Sequence, residues 1–151
     1  MTAGRGVVVV GYGNPLRGDD GVGWRVAESL LADPRLAGAH VMTVHQLLPE
    51  LASELGEAAL AVLIDAKIGE SPGSISVAQV TPSPDRSAWT HHLTPAVLAG
   101  LARQVAGRSA DVVVVSIGIA STEPDPGLTR EVADAVSPAR EVVAELVLAH
   151  A

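Results

Sequence analysis

Residues 7–10 are four consecutive valines, closed by Gly11-Tyr-Gly-Asn-Pro15. A run with no polar face predicts a strand buried on both sides that turns tightly at its end. From Val22 the spacing changes: Val22, Val26 and Leu30 recur every fourth residue, with Arg25 and Glu28 on other faces, which predicts an amphipathic helix. Residues 41–44 give a second strand. Leu48-Pro-Glu-Leu51 opens a short helix with Pro at or near its first turn and Leu51 and Leu55 turned inward. Residues 59–64 form a third apolar strand, expected to stop at Asp65, and residues 74–80 alternate imperfectly after a Pro72-Gly73 turn, as an edge strand does. Thr94-Pro95 reads as an N-cap followed by Pro at the first helical position, with Val97, Leu98, Leu101 and Val105 on one stripe. Residues 112–119 are the last long apolar strand. A terminal helix from Thr129 carries Val132, Val136, Val143, Leu146 and Val147 on one face, with a kink or restart at Ser137-Pro138.

Fully apolar strands separated by helices imply a mostly parallel sheet covered on both sides. The predicted architecture is a three-layer α/β/α sandwich of about five strands, with residues 1–151 as a single domain, since a second core would need ~100 further residues. In such sheets ligands bind beyond the carboxyl ends of the strands, where strand order reverses, so the loops after strands one, three and five are where chemistry is expected.

Composition narrows that chemistry. With no cysteine there is no disulfide framework, thiolate metal site or cysteine nucleophile, and any metal must be held by His and carboxylate. A net charge of −7 and three aromatic residues argue against nucleic acid as a partner. No apolar run nears the ~20 residues of a membrane span, and the first residues lack a secretory pattern, so a cytoplasmic protein with no membrane partner is expected.

The loop after the first strand imitates a phosphate cradle. Gly11-x-Gly13 lacks the third glycine at dinucleotide-binding spacing, and the phosphate-loop pattern laid on Gly13 and Gly18 puts Asp19 and Asp20 where Lys and Ser or Thr belong. Two carboxylates there repel a polyphosphate. One of the pair is expected to cap the following helix and the other to face the crevice. Asp65 ends the third strand at the same sheet edge, read alone as a turn residue and read with Asp19 and Asp20 as part of a carboxylate cluster that needs a counter-charge. His91-His92 precedes the Thr94-Pro95 helix start, and in extended chain only one of the two imidazoles faces the crevice. Asp, Asp and His form an oxygen and nitrogen donor set suited to Zn²⁺ or Ni²⁺ with positions left open. His40 and His150 read as surface residues and His45 as intermediate.

Taken in order, Gly11-Tyr-Gly-Asn-Pro-Leu-Arg-Gly-Asp-Asp-Gly-Val-Gly23, His45-Gln-Leu-Leu-Pro-Glu50, Asp65-Ala66 with Ser71-Pro-Gly73, and His91-His-Leu93 resemble the hydrogenase maturation proteases over most of the chain. These endopeptidases trim the C-terminal extension of the nickel-iron hydrogenase large-subunit precursor after nickel insertion. The resemblance implies that Asp20, Asp65 and His91 contact the metal, with His92 as the other option for the imidazole. It implies catalytic duty for Asp20 and Asp65, and a loop shaped by Gly11, Gly13, Asn14 and Asp19. For Asn14 the alternative is a turn residue bonding its own backbone. The implied metal is the nickel of the substrate, with Zn or Cd able to stand in for it in crystals and no permanently bound ion. Water is activated either by a carboxylate or by the metal. One departure is Gly118-Ile-Ala-Ser-Thr-Glu-Pro124, which lacks the family's frequent Gly-Ile-x-Pro form. The competing readings are a nickel-binding or escort protein on the same fold that cuts nothing, and a nucleotide-binding domain.

Overall fold

The computed structural model describes residues 6–85, 93–120, 122–123 and 127–150. Strands β1 (Val7–Tyr12), β2 (Ala39–Val44), β3 (Leu60–Ile68), β4 (Ile75–Val80) and β5 (Asp111–Ile119) form one sheet in the order β2-β1-β3-β5-β4. All neighbours are parallel except the β4–β5 pair, which is antiparallel. The edge position expected for residues 74–80 is therefore observed.

The side-chain period of two sorts the apolar residues onto two faces. Val9, Val62, Ile64, Val115 and Ile117 pack with α1 (Val22–Leu30) and α4 (Arg130–His150). Val8, Val10, Ala61, Leu63, Val112 and Val114 pack with α2 (Leu51–Glu57) and α3 (Pro95–Ala106). Both faces are covered, as the unbroken apolar strands require. The Thr94 hydroxyl accepts from the Val97 N–H at 3.2 Å with Pro95 at the first helical position, which is the start that the Thr-Pro pair predicts.

Three elements depart from the expected outline. β3 does not stop at Asp65 but runs to Ile68, because β5 keeps pairing with it through Ile68↔Ile119 after the β1 pairing has ended at Gly11↔Ile64. α4 passes through Pro138 as one helix. Pro138 and Asp134 are both exposed, so water serves the carbonyl that the missing N–H leaves free. Val105 is not on the buried stripe of α3 but 69% exposed.

Two glycines bring α1 onto the sheet. A Cβ at Gly11 would collide with the Gly23 carbonyl and with Ala27, and one at Gly23 with the Ile64 carbonyl. The first turn of α1 thus lies directly over the ends of β1 and β3. On the far side of the domain Asp33 ties the β2 approach to α4, accepting from Arg35 at 2.8 Å and Arg140 at 3.1 Å, while Arg35 also reaches Glu141 at 2.8 Å. The two arginines hold the Asp33 carboxyl well below the usual carboxylate range.

Candidate functional site

Strand order reverses between β1 and β3, since β2 lies on one side of β1 and everything after it on the other. The loop leaving β1 and the polar end of β3 therefore flank one crevice at the carboxyl rim.

The first loop is shaped by its own residues. Gly13 has φ +138°, a conformation that disfavours a side chain, and a Cβ there would strike the Asp20 carbonyl. The Asp20 Oδ2 accepts from the Asn14 N–H at 2.9 Å, and the Asn14 Oδ1 accepts from the Leu16 N–H at 2.9 Å. Asn14 is thus the turn residue of the simpler reading, and Asp20 is half-buried over the loop with its second oxygen uncommitted to Asn14.

Asp19 takes a different direction. Its side chain is fully buried and accepts from the Thr129 N–H at 2.7 Å, the Thr129 hydroxyl at 2.9 Å and the Ala120 N–H at 3.2 Å. The Thr129 carbonyl receives the Ala133 N–H, so Thr129 begins α4 and the carboxylate sits at the positive end of that helix. The expectation that one of the acidic pair caps the helix following the loop is corrected: neither the 3-10 turn Gly18–Gly21 nor α1 has a side-chain cap. Gly18–Gly21 is a 3-10 turn, in which successive residues advance by ~120°, so the two carboxylates point to different neighbours.

Asp65 stands one residue beyond the last β1–β3 pair, opposite Ser116 of β5. It shares a sheet face with Leu63 and so points toward the layer of α2 and α3. The Tyr12 hydroxyl donates to its Oδ2 at 3.0 Å, while its Oδ1 is buried and has no hydrogen-bond partner among the described residues. Burial raises the Asp65 pKa above its ordinary value, against the opposing pull of the Ser116 and Tyr12 hydroxyls and the Lys67 charge. Burial also pushes the Tyr12 hydroxyl upward, reinforced by the charge of Asp65 and by the hydrogen bond between them, so Tyr12 remains a donor.

The third predicted contact, His91, lies outside the described residues, as does His92. The four residues 107–110 join α3 to the start of β5, so the amino end of α3, at Leu93 and Thr94, lies toward the carboxyl rim and on the face that Asp65 addresses. Among the described residues no group of three His, Cys, Asp or Glu forms a metal site. The structure thus brings Asp20 and Asp65 to one rim and turns Asp19 away from it. His45, at the end of β2, stacks on Trp24 of α1 with ring centroids 5.0 Å apart.

Sequence reasoning missed Tyr12, Ser116 and Thr129. Tyr12 ends a strand in a chain with one tyrosine, a usable signal; the other two owe their places to strand register and to a contact across 110 residues.

No known family model and no curated protein matches the sequence. Solved structures do match the fold. The NiFe hydrogenase maturation protease HycI from Thermococcus kodakarensis KOD1 aligns with TM-score 0.76 and 21% identity, over 97% of this chain and 94% of that one. The hydrogenase maturating endopeptidase HybD from E. coli aligns with TM-score 0.71 and 23% identity, over 91% and 89%. The hydrogenase 2 maturation peptidase from Thaumarchaeota archaeon SCGC_AB-539-E09 aligns with TM-score 0.71 and 22% identity, over 94% and 97%. The chain has the fold of these proteins along nearly its whole length.

Proposed function

We propose that this chain is an endopeptidase that removes the C-terminal extension of a nickel-iron hydrogenase large-subunit precursor once nickel is in place, reading the metal through Asp20, Asp65 and His91. One observation carries the reading: at the strand-order reversal a half-buried aspartate keeps a buried oxygen without a hydrogen-bond partner, at the same rim as a loop that presents a second carboxylate. Burying a carboxylate oxygen without a hydrogen-bond partner is costly, and a cation brought by another protein offsets that cost beyond the pull of the exposed Lys67. The likeness of fold to maturation proteases over nearly the whole of both chains supports the same reading.

The nickel belongs to the substrate. Two carboxylates and one imidazole grip a cation while leaving coordination positions to its owner, whereas a closed four-ligand shell would strip the ion. Contact with the metal then docks the scissile peptide on the rim. Hydrolysis adds water across that bond: its hydroxyl goes to the carbonyl carbon, and a rim carboxylate passes its proton to the leaving amine. Neutral imidazole is the form that binds metal, so engagement through His91 weakens on acidification.

The test is incubation with nickel-loaded and nickel-free precursor, followed by intact-mass measurement. Loss of the extension from the loaded precursor alone, abolished by Asp20→Ala and by Asp65→Ala, is the expected result. Cleavage that ignores nickel or survives both substitutions refutes the assignment. Tight nickel binding by the free protein with no cleavage favours the escort reading.

A further inference from the structure

Along β1, β3 and β5 the face toward α2 and α3 is apolar up to Val10, Leu63 and Val114, which are buried. The next row on that face is Tyr12, Asp65 and Ser116, so the aspartate has a hydroxyl-bearing residue on each neighbouring strand. Ser116 is 9% exposed.

A carboxyl group turns about its last side-chain bond with a broad, two-fold preference, and its two oxygens are otherwise equivalent. The Tyr12 hydroxyl, at 3.0 Å, removes that equivalence. It engages Oδ2 and, with the Ser116 hydroxyl on the other neighbouring strand also drawing on the carboxyl group, sets its plane, while Oδ1 makes no hydrogen bond of normal geometry. Tyr12 can do this because it is the last residue of β1, where the backbone pairing with β3 has ended but the strand still holds its side chain over the next β3 residue. Its ring is anchored in the apolar layer beneath, which leaves the hydroxyl little room to follow the carboxylate elsewhere.

We propose that Tyr12 is a positioning residue for the reaction: by holding Oδ2 of Asp65 it fixes the orientation of the carboxyl group and leaves Oδ1 as the oxygen free to take part. The inference rests on the proteolytic reading for the identity of what Oδ1 meets. It makes Tyr12 neither a metal contact nor a proton carrier, since it acts through Asp65 alone.

The discriminating variant is Tyr12→Phe, which removes one oxygen and keeps the ring in its layer. With nickel-loaded precursor, kcat/KM is expected to fall ~10–100-fold, the usual cost of losing the partner that orients a ligand, with the thermal midpoint nearly unchanged. A kcat/KM within twofold of the parent overturns the proposal, and so does a loss of rate that merely follows a loss of folded protein. If the parent chain itself leaves the loaded precursor uncut, the proteolytic reading fails separately. Tyr12 is then judged by crystal structures of both proteins: a rotated Asp65 carboxyl plane in the variant supports the positioning role, and an unrotated plane overturns it.

Discussion

Replacing Asp19 by Ala tests whether the first acid of the pair is a structural clasp. Its carboxylate is fully buried and takes the Thr129 N–H, the Thr129 hydroxyl and the Ala120 N–H. Hydrogen bonds to a charged group contribute ~1.5–3 kcal/mol each, but these share one carboxylate and are not additive. Ala120 is exposed, so water can replace one of them, and Thr129 is half-buried. The net loss is about 3 kcal/mol, a large part of the ~5–15 kcal/mol that holds a domain folded. At ~2–4 °C per kcal/mol for this chain length, the thermal midpoint falls by about 6–12 °C. Asp19→Asn keeps one acceptor oxygen but turns an amide donor toward another donor, so its cost is smaller, about 1–2 kcal/mol. Urea unfolding followed by circular dichroism, with Thr129→Ala and the double variant completing a cycle, gives both the losses and the coupling. An Asp19→Ala loss below ~1 kcal/mol, or additive single losses, would refute the clasp.

Other outcomes follow from the same contacts. Asp65→Asn lowers cleavage ~10²–10⁴-fold if the carboxylate serves as a base, yet leaves the protein as stable at neutral pH. Burial raises the folded-state pKa of Asp65, so the parent gains stability as pH falls through that value and levels off below the unfolded value near ~3.9, a slope that the Asn variant lacks in urea titrations. Asp33 has the opposite sign: Arg35 and Arg140 depress its folded pKa, so its contribution is full above ~3.9 and is lost as pH falls through the folded value. Asp33→Asn therefore lowers stability at pH 7 and flattens the acid limb of the curve, read by thermal melts against pH. Gly23→Ala sets a methyl against the Ile64 carbonyl, and the overpacking costs ~1–3 kcal/mol by urea unfolding and displaces the loop carrying Asp20.

The sequence discloses what depends on neighbours in the chain and hides what depends on neighbours in space. The valine run at residues 7–10, the fourfold spacing from Val22 to Leu30 and the Thr94-Pro95 cap are local, and each element appears where its pattern puts it. The end of β3 is set by how far β5 keeps pairing, and no property of residues 60–64 contains that information. The same holds within the site. That Asp20 and Asp65 share a rim follows from strand order and loop position, both inferable, whereas the Tyr12–Asp65 bond joins residues 53 apart and needs the register. Asp19 and Asp20 are indistinguishable by composition or periodicity; their separation is a matter of which neighbour each meets, with Thr129 110 residues away for the first and Asn14 six residues back for the second.

That separation also answers an electrostatic question which two adjacent acids pose. Side by side under a glycine-rich loop they would repel, and a bound cation is one way to relieve it. The fold uses another for the first of them: Asp19 is neutralised locally by two backbone N–H groups, a hydroxyl and the start of a 21-residue helix. No ion is required for Asp19, and the demand for a counter-charge narrows to Asp20 and Asp65. Because Asp19 binds the loop to both ends of the β5–α4 connection, it also fixes the platform from which Asp20 projects. A loop clasped this way holds Asp20 in place through contacts within the chain alone.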